Sequence, residues 1–487
     1  MSRVALTLAQ LAAVPLIACG CRKPTSCADD QYIASERDLD ALSQCDVVGG
    51  RLEVDGQVWL TSLDLPLLES VAAMLKVTGC DALVDVAMPG LVVVDGAVRI
   101  RSNPALAAID DLGSLESVGE EIFIHRNESL ERIGLPALAA VGRDLVVRNN
   151  DALVELDLPV LSTVSGDVDI DGQAVLDALE LPGLSAVGGN LWVARNASLA
   201  HIDLPSLETL GRSLYIHRND ALAGLDMRSL RSLERSLTIR DSASLTSVAL
   251  PALVHVGDDL TIQDNAALTT IDLPRLDAVG DDLTIQDNLA VTRIDLSGLT
   301  DAGDRLYVMH QPALTELDLS GLEEVYFAFF NDNDALAVLE LPVLEFVDEL
   351  TVWSAEALHG LTAPKISSLR FLNIVDNRSI TTIEMSSLAD IRSSLLIQNN
   401  DSLVGLEGLS GVTAVGFQLT ISGNDDLSSL NGLSCLRTVS HNLTITDNAS
   451  LCQVDAQVFV DGLEVGGDVL VFGNGADRTD CGAASSR

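Results

Sequence analysis

Large rings are scarce in this chain of 487 residues, where aromatics make up 3%. A globular core of that size normally draws much of its buried area from Phe, Tyr and Trp. Here Leu, Val, Ile and Ala must fill the interior, which suits many thin, equal layers. Positive charge is scarce too. Asp and Glu number 71 against 29 Lys and Arg, for a net charge of −42, and only Lys23, Lys76 and Lys365 are lysines. Such a surface repels nucleic acid, whose phosphates need a basic footprint, so no nucleic-acid partner is expected. Beyond the first twenty residues charges interrupt every apolar run, and no later segment reads as a transmembrane helix. No Gly-x-Ser-x-Gly elbow, His-Glu-x-x-His or phosphate loop occurs. The seven His (125, 201, 217, 255, 310, 359 and 441) fall at unrelated points along the chain. The eight Cys have spacings wrong for zinc. No catalytic residue, cofactor or metal is therefore expected. Acidity with few aromatics also accompanies disorder, but 47% apolar residues at regular intervals argue against it.

The first of the features present is an address. Met1-Ser2-Arg3 precedes an apolar stretch from Val4 to Ala18, too short for a stable membrane span. It ends Leu16-Ile17-Ala18-Cys19-Gly20, which resembles the bacterial lipobox. That resemblance implies cleavage after residue 18 and acylation of Cys19, with 1–18 as signal peptide and 19–26 as lipid anchor and short tether. Gly20 stands where an Asp would retain the protein at the inner membrane. The expected location is therefore the bacterial outer membrane or cell surface, held to the bilayer by lipid.

The second feature is a repeat, the signature of stacked architectures. The segment Val256 to Asn265 recurs without a single change as Val279 to Asn288. Counting the second apolar residue of each Leu-x-Ile triplet gives nineteen coils, from Val54 to Val471. In Leu260-Thr261-Ile262 the alternation has period two, so Leu260 and Ile262 point inward and Thr261 outward. Leu268, Ile271, Leu273, Leu276 and Val279 supply further inward sites. One coil cannot bury its own apolar face, but a stack can. The expected fold is all-β: a right-handed single-stranded β-helix or solenoid of about nineteen coils with repeats of about 23 residues. Strand spacing makes it a rod on the order of 90 Å long.

Three residues after the Ile stands Asn in thirteen coils: Asn103, Asn127, Asn150, Asn196, Asn219, Asn265, Asn288, Asn333, Asn377, Asn400, Asn424, Asn448 and Asn474. An inward Asn there satisfies backbone groups of the bend and forms a structural ladder down the rod. A polar ligand track is the competing reading. Cys80 holds the same place, as a buried structural thiol.

The pattern Leu-x-Ile-x-x-Asn-x-x-Leu is close to leucine-rich repeats, but Leu follows the Asn by three residues rather than two, as in Asn265-Ala-Ala-Leu268. With Gly before the strand, in Val-Gly-Asp-Asp-Leu-Thr-Ile, it resembles the receptor L domain, a β-helical ligand-binding module. The resemblance spans Cys27 to Cys481 and implies binding rather than catalysis. Receptor signalling does not follow, because no kinase or cysteine-rich module accompanies the array.

Solenoids need capped ends, and export permits disulfides. A 27–50 cap with a short helix in Glu36 to Gln44, the 51–474 solenoid and a 475–487 cap and tail are expected. Cys27–Cys45 and Cys452–Cys481 are the expected bridges, while Cys21 and Cys435 have no assigned place. The one patterned surface is the outward strand face and the bend after it. Its candidate ligand-binding residues are Arg101, Phe123, His125, Arg126, Arg148, Trp192, Arg195, Tyr215, His217, Arg218 and Arg240, with Tyr307, Phe329 and Trp353 further on. Arg forks and aromatic platforms suit an anionic or carbohydrate ligand. The alternative is that these arginines merely balance Asp169 and Asp171. The function expected is non-catalytic recognition or adhesion by a surface lipoprotein, with an extracellular protein or carbohydrate as partner. A structural envelope element and a glycan-active β-helix enzyme are the alternatives. Acid pairs such as Asp258-Asp259 and Asp281-Asp282 read as repeat turns, with calcium as the competing idea.

Overall fold

Coil ten shows how one repeat closes on itself. Leu260–Gln263 forms the first side, Thr270–Asp272 the second and Ala278–Val279 the third. Leu260, Ile262, Leu268, Ile271, Leu273, Leu276 and Val279 are all at most 1% exposed, so each coil contributes one apolar layer. Every first-side strand pairs in parallel with the same strand of the next coil, Leu260 with Leu283 and Ile262 with Ile285. This computed structural model describes residues 25–475. The expected signal peptide, Cys19, Cys21, Cys481 and most of the expected tail lie outside the described residues. Within them the chain is a nearly all-β solenoid of about nineteen turns at roughly 23-residue spacing, its hydrophobic core running the length of the stack. No helix of the described residues is long and apolar enough to cross a membrane.

The ladder of asparagines ties each coil to the one before. Asn127 is fully buried; its Nδ2 donates to the Ile100 carbonyl at 3.1 Å, and its Oδ1 accepts from the Asn103 backbone N–H at 3.1 Å. The same pair of bonds recurs, for example, at Asn265 and Asn400. Gln173 substitutes fully, its Oε1 accepting from Asn150 N–H and its Nε2 donating to the Val147 carbonyl. Gln311 does not: its Oε1 is buried without a partner. Cys80 is fully buried in the same column, and burial pushes its thiol up from the ordinary value.

Immediately before the ladder position the backbone is left-handed in all nineteen coils, with φ between 49° and 71°. Gly, Asn and Asp fill most of these places, as the conformation favours. Ser, His and Arg fill the rest.

The repeat length varies, and the bend absorbs the change. In the full-length coils the third-side Val and the next inward Leu are four positions apart, as in Val256 and Leu260. In three consecutive coils, each one residue shorter, they are three apart: Val325 to Ala328, Val347 to Leu350 and Leu369 to Leu372. There the bend vanishes and the two strands merge into Glu324–Asn331, Phe346–Trp353 and Ser368–Val375. The next coil, back at full length, keeps a merged strand and takes up its extra residue as a bulge opposite Leu369–Phe371.

Both ends carry short helices. At the N-terminus, Ser26–Cys27 pairs with Val47–Val48 and Gln31–Tyr32 with Leu52–Asp55, the first side of the first full coil, forming a partial coil. A helix follows at Glu36–Leu42, started by Ser35, whose Oγ accepts from the Asp38 N–H. Cys27 and Cys45 flank it and are bonded, with Cα atoms 5.9 Å apart. Near the C-terminus a second helix, Gln453–Asp461, lies inside the span assigned to the solenoid. It fills the last and longest interval of the repeat, between Ile445 and Val471. Cys452, its N-cap, is buried.

Candidate functional site

The outward positions of the first-side strands form two columns, and the left-handed residues form a third. In the first column the residues run Lys76, Arg99, Phe123, Val146, Asp169, Trp192, Tyr215, Thr238 and Thr261. The second runs Thr78, Arg101, His125, Arg148, Asp171, Ala194, His217, Arg240 and Gln263. Arg126, Arg195 and Arg218 hold the third, at φ of 53° to 55°. All eleven candidates therefore share one face of the rod, spread over coils three to nine.

That face is divided by charge pairing. Asp169 and Asp171 are nearly buried, at 7% and 3% exposed, although both stand at outward strand positions. Arg148 caps Asp169, and the Arg195 Nε donates to Asp171 at 2.8 Å. These two candidates are engaged with their own chain. Arg148 is held charged by Asp169. Burial nevertheless raises the Asp169 carboxyl above its usual range. The pair is incompletely satisfied, because the Asp169 Oδ1 and the Arg148 Nε are both buried without a hydrogen-bond partner.

On one side of this pair stand Arg101, Phe123, His125 and Arg126. Phe123 and His125 have ring centroids 5.5 Å apart, and the His125 Nδ1 lies 3.1 Å from the Arg148 carbonyl. Burial lowers the His125 pKa, with the surrounding arginines adding to the shift.

On the other side the side chains make a recess. Trp192 and Tyr215 pack against each other one coil apart, with centroids 4.7 Å apart and planes tilted by 48°. The small Ala194 beneath His217 lets its ring stand edge-on to Trp192 at 5.1 Å. The ring column then steps down to Thr238 and Thr261, giving a recess of about 310 Å³ walled by Trp192, Tyr215 and His217 and by Arg240 and Gln263. That is near the lower limit of small-molecule sites. Burial, then Arg240 and Arg218, push the His217 pKa down, so the imidazole is neutral at pH 7. Arg218 has no ion pair among the described residues, and Arg240 has only a 3.7 Å contact with Asp241. Arg240 lines the recess and Arg218 follows His217 at its margin, so each guanidinium can take a ligand's acid group bidentately.

The threonine floor and the left-handed column were not singled out from sequence. Both become visible once the chain is cut into lines of one repeat each and read vertically. Among the described residues no group of three or more His, Cys, Asp or Glu is placed to hold a metal ion. Asp258 and Asp282 instead pair with Arg235 and Arg305.

No family model matches the chain, and no curated protein sequence matches it. Solved structures with some likeness include a leucine-rich repeat protein from Bacteroides ovatus, 11% identical, covering 76% of this chain and 82% of that one at a TM-score of 0.30. A Toll–Spatzle complex from Drosophila is 13% identical over 91% and 68% of the two chains, with a TM-score of 0.22. A TLR13–ssRNA13 complex is 14% identical over 88% and 85%, at 0.17. Superpositions of that quality transfer neither a ligand nor a fold, and the solenoid rests on the strand pairings above.

Proposed function

We propose that this chain is a non-catalytic recognition scaffold, tethered at the bacterial cell surface through a lipid on Cys19, and that it takes an acidic carbohydrate in the Trp192–Tyr215 recess. The carrying observation is a recess walled by two rings in tilted contact, with Arg240 in its lining and Arg218 next to His217, neither arginine having a close carboxylate partner among the described residues. A sugar ring stacks on an aromatic face, while its carboxylate or sulfate engages a guanidinium fork. Arg218 adds a second argument. It occupies a left-handed backbone position that Gly, Asn or Asp would hold with less strain, so its side chain is the reason for its presence.

The test is an array of acidic and neutral glycans and surface proteins, probed with the full-length chain and with a Trp192→Ala, Tyr215→Ala, Arg218→Ala variant. Binding to acidic glycans that the variant loses supports the reading. Binding that is unchanged in the variant contradicts it.

The Arg148–Asp169 and Arg195–Asp171 pairs favour a second reading, in which the face only balances an acidic rod and the protein is a structural envelope element. In that case deletion alters envelope integrity and no array feature binds.

A further inference from the structure

The merged strands create a second outward surface of different chemistry. Losing one residue from the bend places two consecutive side chains outward in each of the shorter coils: Tyr326-Phe327, Asp348-Glu349 and Arg370-Phe371. Rings concentrate here. Tyr307 and Phe329 stack at 5.1 Å with an 18° tilt, and Tyr326 meets Phe346 edge-on at 5.2 Å and 77°. Two of these rings already have a cation above them: the Arg305 guanidinium lies 6.0 Å from the Phe327 centroid, and Arg370 lies 4.8 Å from Phe371. The face is thus built for contact between rings and cations.

The Tyr326–Phe346 corner has rings but no cation of the chain over them among the described residues. Tyr326 is 53% exposed and Phe346 38% exposed. The two rings wall a recess of about 180 Å³ completed by Asp301, Gly303, Asp304, Glu324 and Val325. Asp301, Glu324 and Phe346 occupy one ladder column in successive coils, so both carboxylates and the ring face the same way. Gly303, which accepts from the Tyr326 N–H through its carbonyl at 3.3 Å, brings no side chain into the space. Asp301, Asp304 and Glu324 have no ion-pair partner among the described residues, the Asp301 Oδ1 accepting only the Gly303 N–H at 2.8 Å, while Asp282 beside them pairs with Arg305. Two perpendicular aromatic faces with three unpaired acids select a compact cation that cannot be heavily hydrated.

We propose that this recess binds an alkylated ammonium group, of the kind carried by choline or a methylated amine. The ring corner supplies the cation–π contact and the carboxylates supply charge. The site is separate from the Trp192 recess and does not depend on the reading of it. Its volume is also smaller, fitting one ammonium head rather than a sugar.

The experiment is calorimetric titration of the full-length chain with choline, tetramethylammonium and 3,3-dimethylbutanol, the last having choline's shape without its charge. Saturable binding of both cations is expected, with the neutral alcohol weaker by about tenfold or more. Tyr326→Leu and Phe346→Leu should each abolish cation binding, Tyr326→Phe should keep it, and Glu324→Gln should weaken it severalfold. These side chains are exposed, and circular dichroism of each variant checks that the coil remains. Trp192→Ala should leave choline binding unchanged. Phosphatidylcholine vesicles form a separate arm: binding of vesicles and free choline assigns the site to a lipid headgroup, and binding of free choline alone assigns it to a soluble ligand. Equal binding of the neutral alcohol, or cation binding that survives both ring removals, would overturn the proposal.

Discussion

At the scale of single residues, buried polar atoms do the specifying. Asn265 donates to the Ile239 and Gln263 carbonyls and accepts from the Ser242 N–H, all inside the rod. Asn265→Ala strips those groups of their partners and should cost about 2–3 kcal/mol. Hydrogen exchange should show lost protection at Ser242, with Asn265→Gln retaining part of it, as Gln173 does. His217 gives a prediction in pH. Its folded pKa lies below the ordinary 6.5, through burial and through Arg240 and Arg218 outweighing Asp171 and Asp241. The unfolded chain therefore binds the proton more readily. The neutral ring's contribution to stability is present above pH 6.5 and is lost as pH falls through the folded pKa. Thermal unfolding at pH 7.5 and pH 5 should show His217→Gln gaining on the wild type at the lower pH. A bound anion favours the imidazolium, so the affinity for an acidic glycan should rise over the same interval.

At the scale of the element, the lesson is where a coil tolerates a change in length. The bend between third and first sides has already lost a residue in three natural coils, and its neighbours still pair in register. Inserting a glycine between Tyr326 and Phe327 should therefore restore a full-length coil with little loss of stability. The same insertion between Thr261 and Ile262 shifts the pairing by one and turns the inward set outward. Limited proteolysis should leave the first variant intact and cut the second near residue 262. Much of this was legible in the sequence. Period two in Leu260-Thr261-Ile262 and the identity of Val256 to Asn265 with Val279 to Asn288 dictate inward residues, register and ladder. The merged strands were not legible, because a one-residue deletion shows in spacing without saying whether a bend or a strand absorbs it. The helix Gln453–Asp461 was hidden for a similar reason: it lies in the one long gap. The division of the arginines, Arg148 and Arg195 paired but Arg218 without an ion pair among the described residues, depends on neighbours a full coil away and needs side-chain geometry.

For the whole molecule, stacking makes stability a matter of neighbours and ends. Each coil packs mainly on its immediate neighbours, with the Arg392–Asp348 ion pair reaching two coils along, so the terminal coils limit the rod. Cys27 and Cys45 close an 18-residue separation around the first helix. Reducing that bridge should cost about 2–4 kcal/mol and fray the N-terminal coils first, which hydrogen exchange resolves along the chain. A net charge of −42 adds self-repulsion along the rod. Function, on this account, belongs to the coils that depart from the consensus. The most direct measurement is the fluorescence of Trp192 in a chain carrying Trp59→Phe and Trp353→Phe, titrated with the acidic glycan that the array selects. A saturable change is expected that is lost in Arg218→Ala and Arg240→Ala but kept in Arg132→Ala. A signal that ignores the glycan, or that survives in both arginine variants, would contradict it.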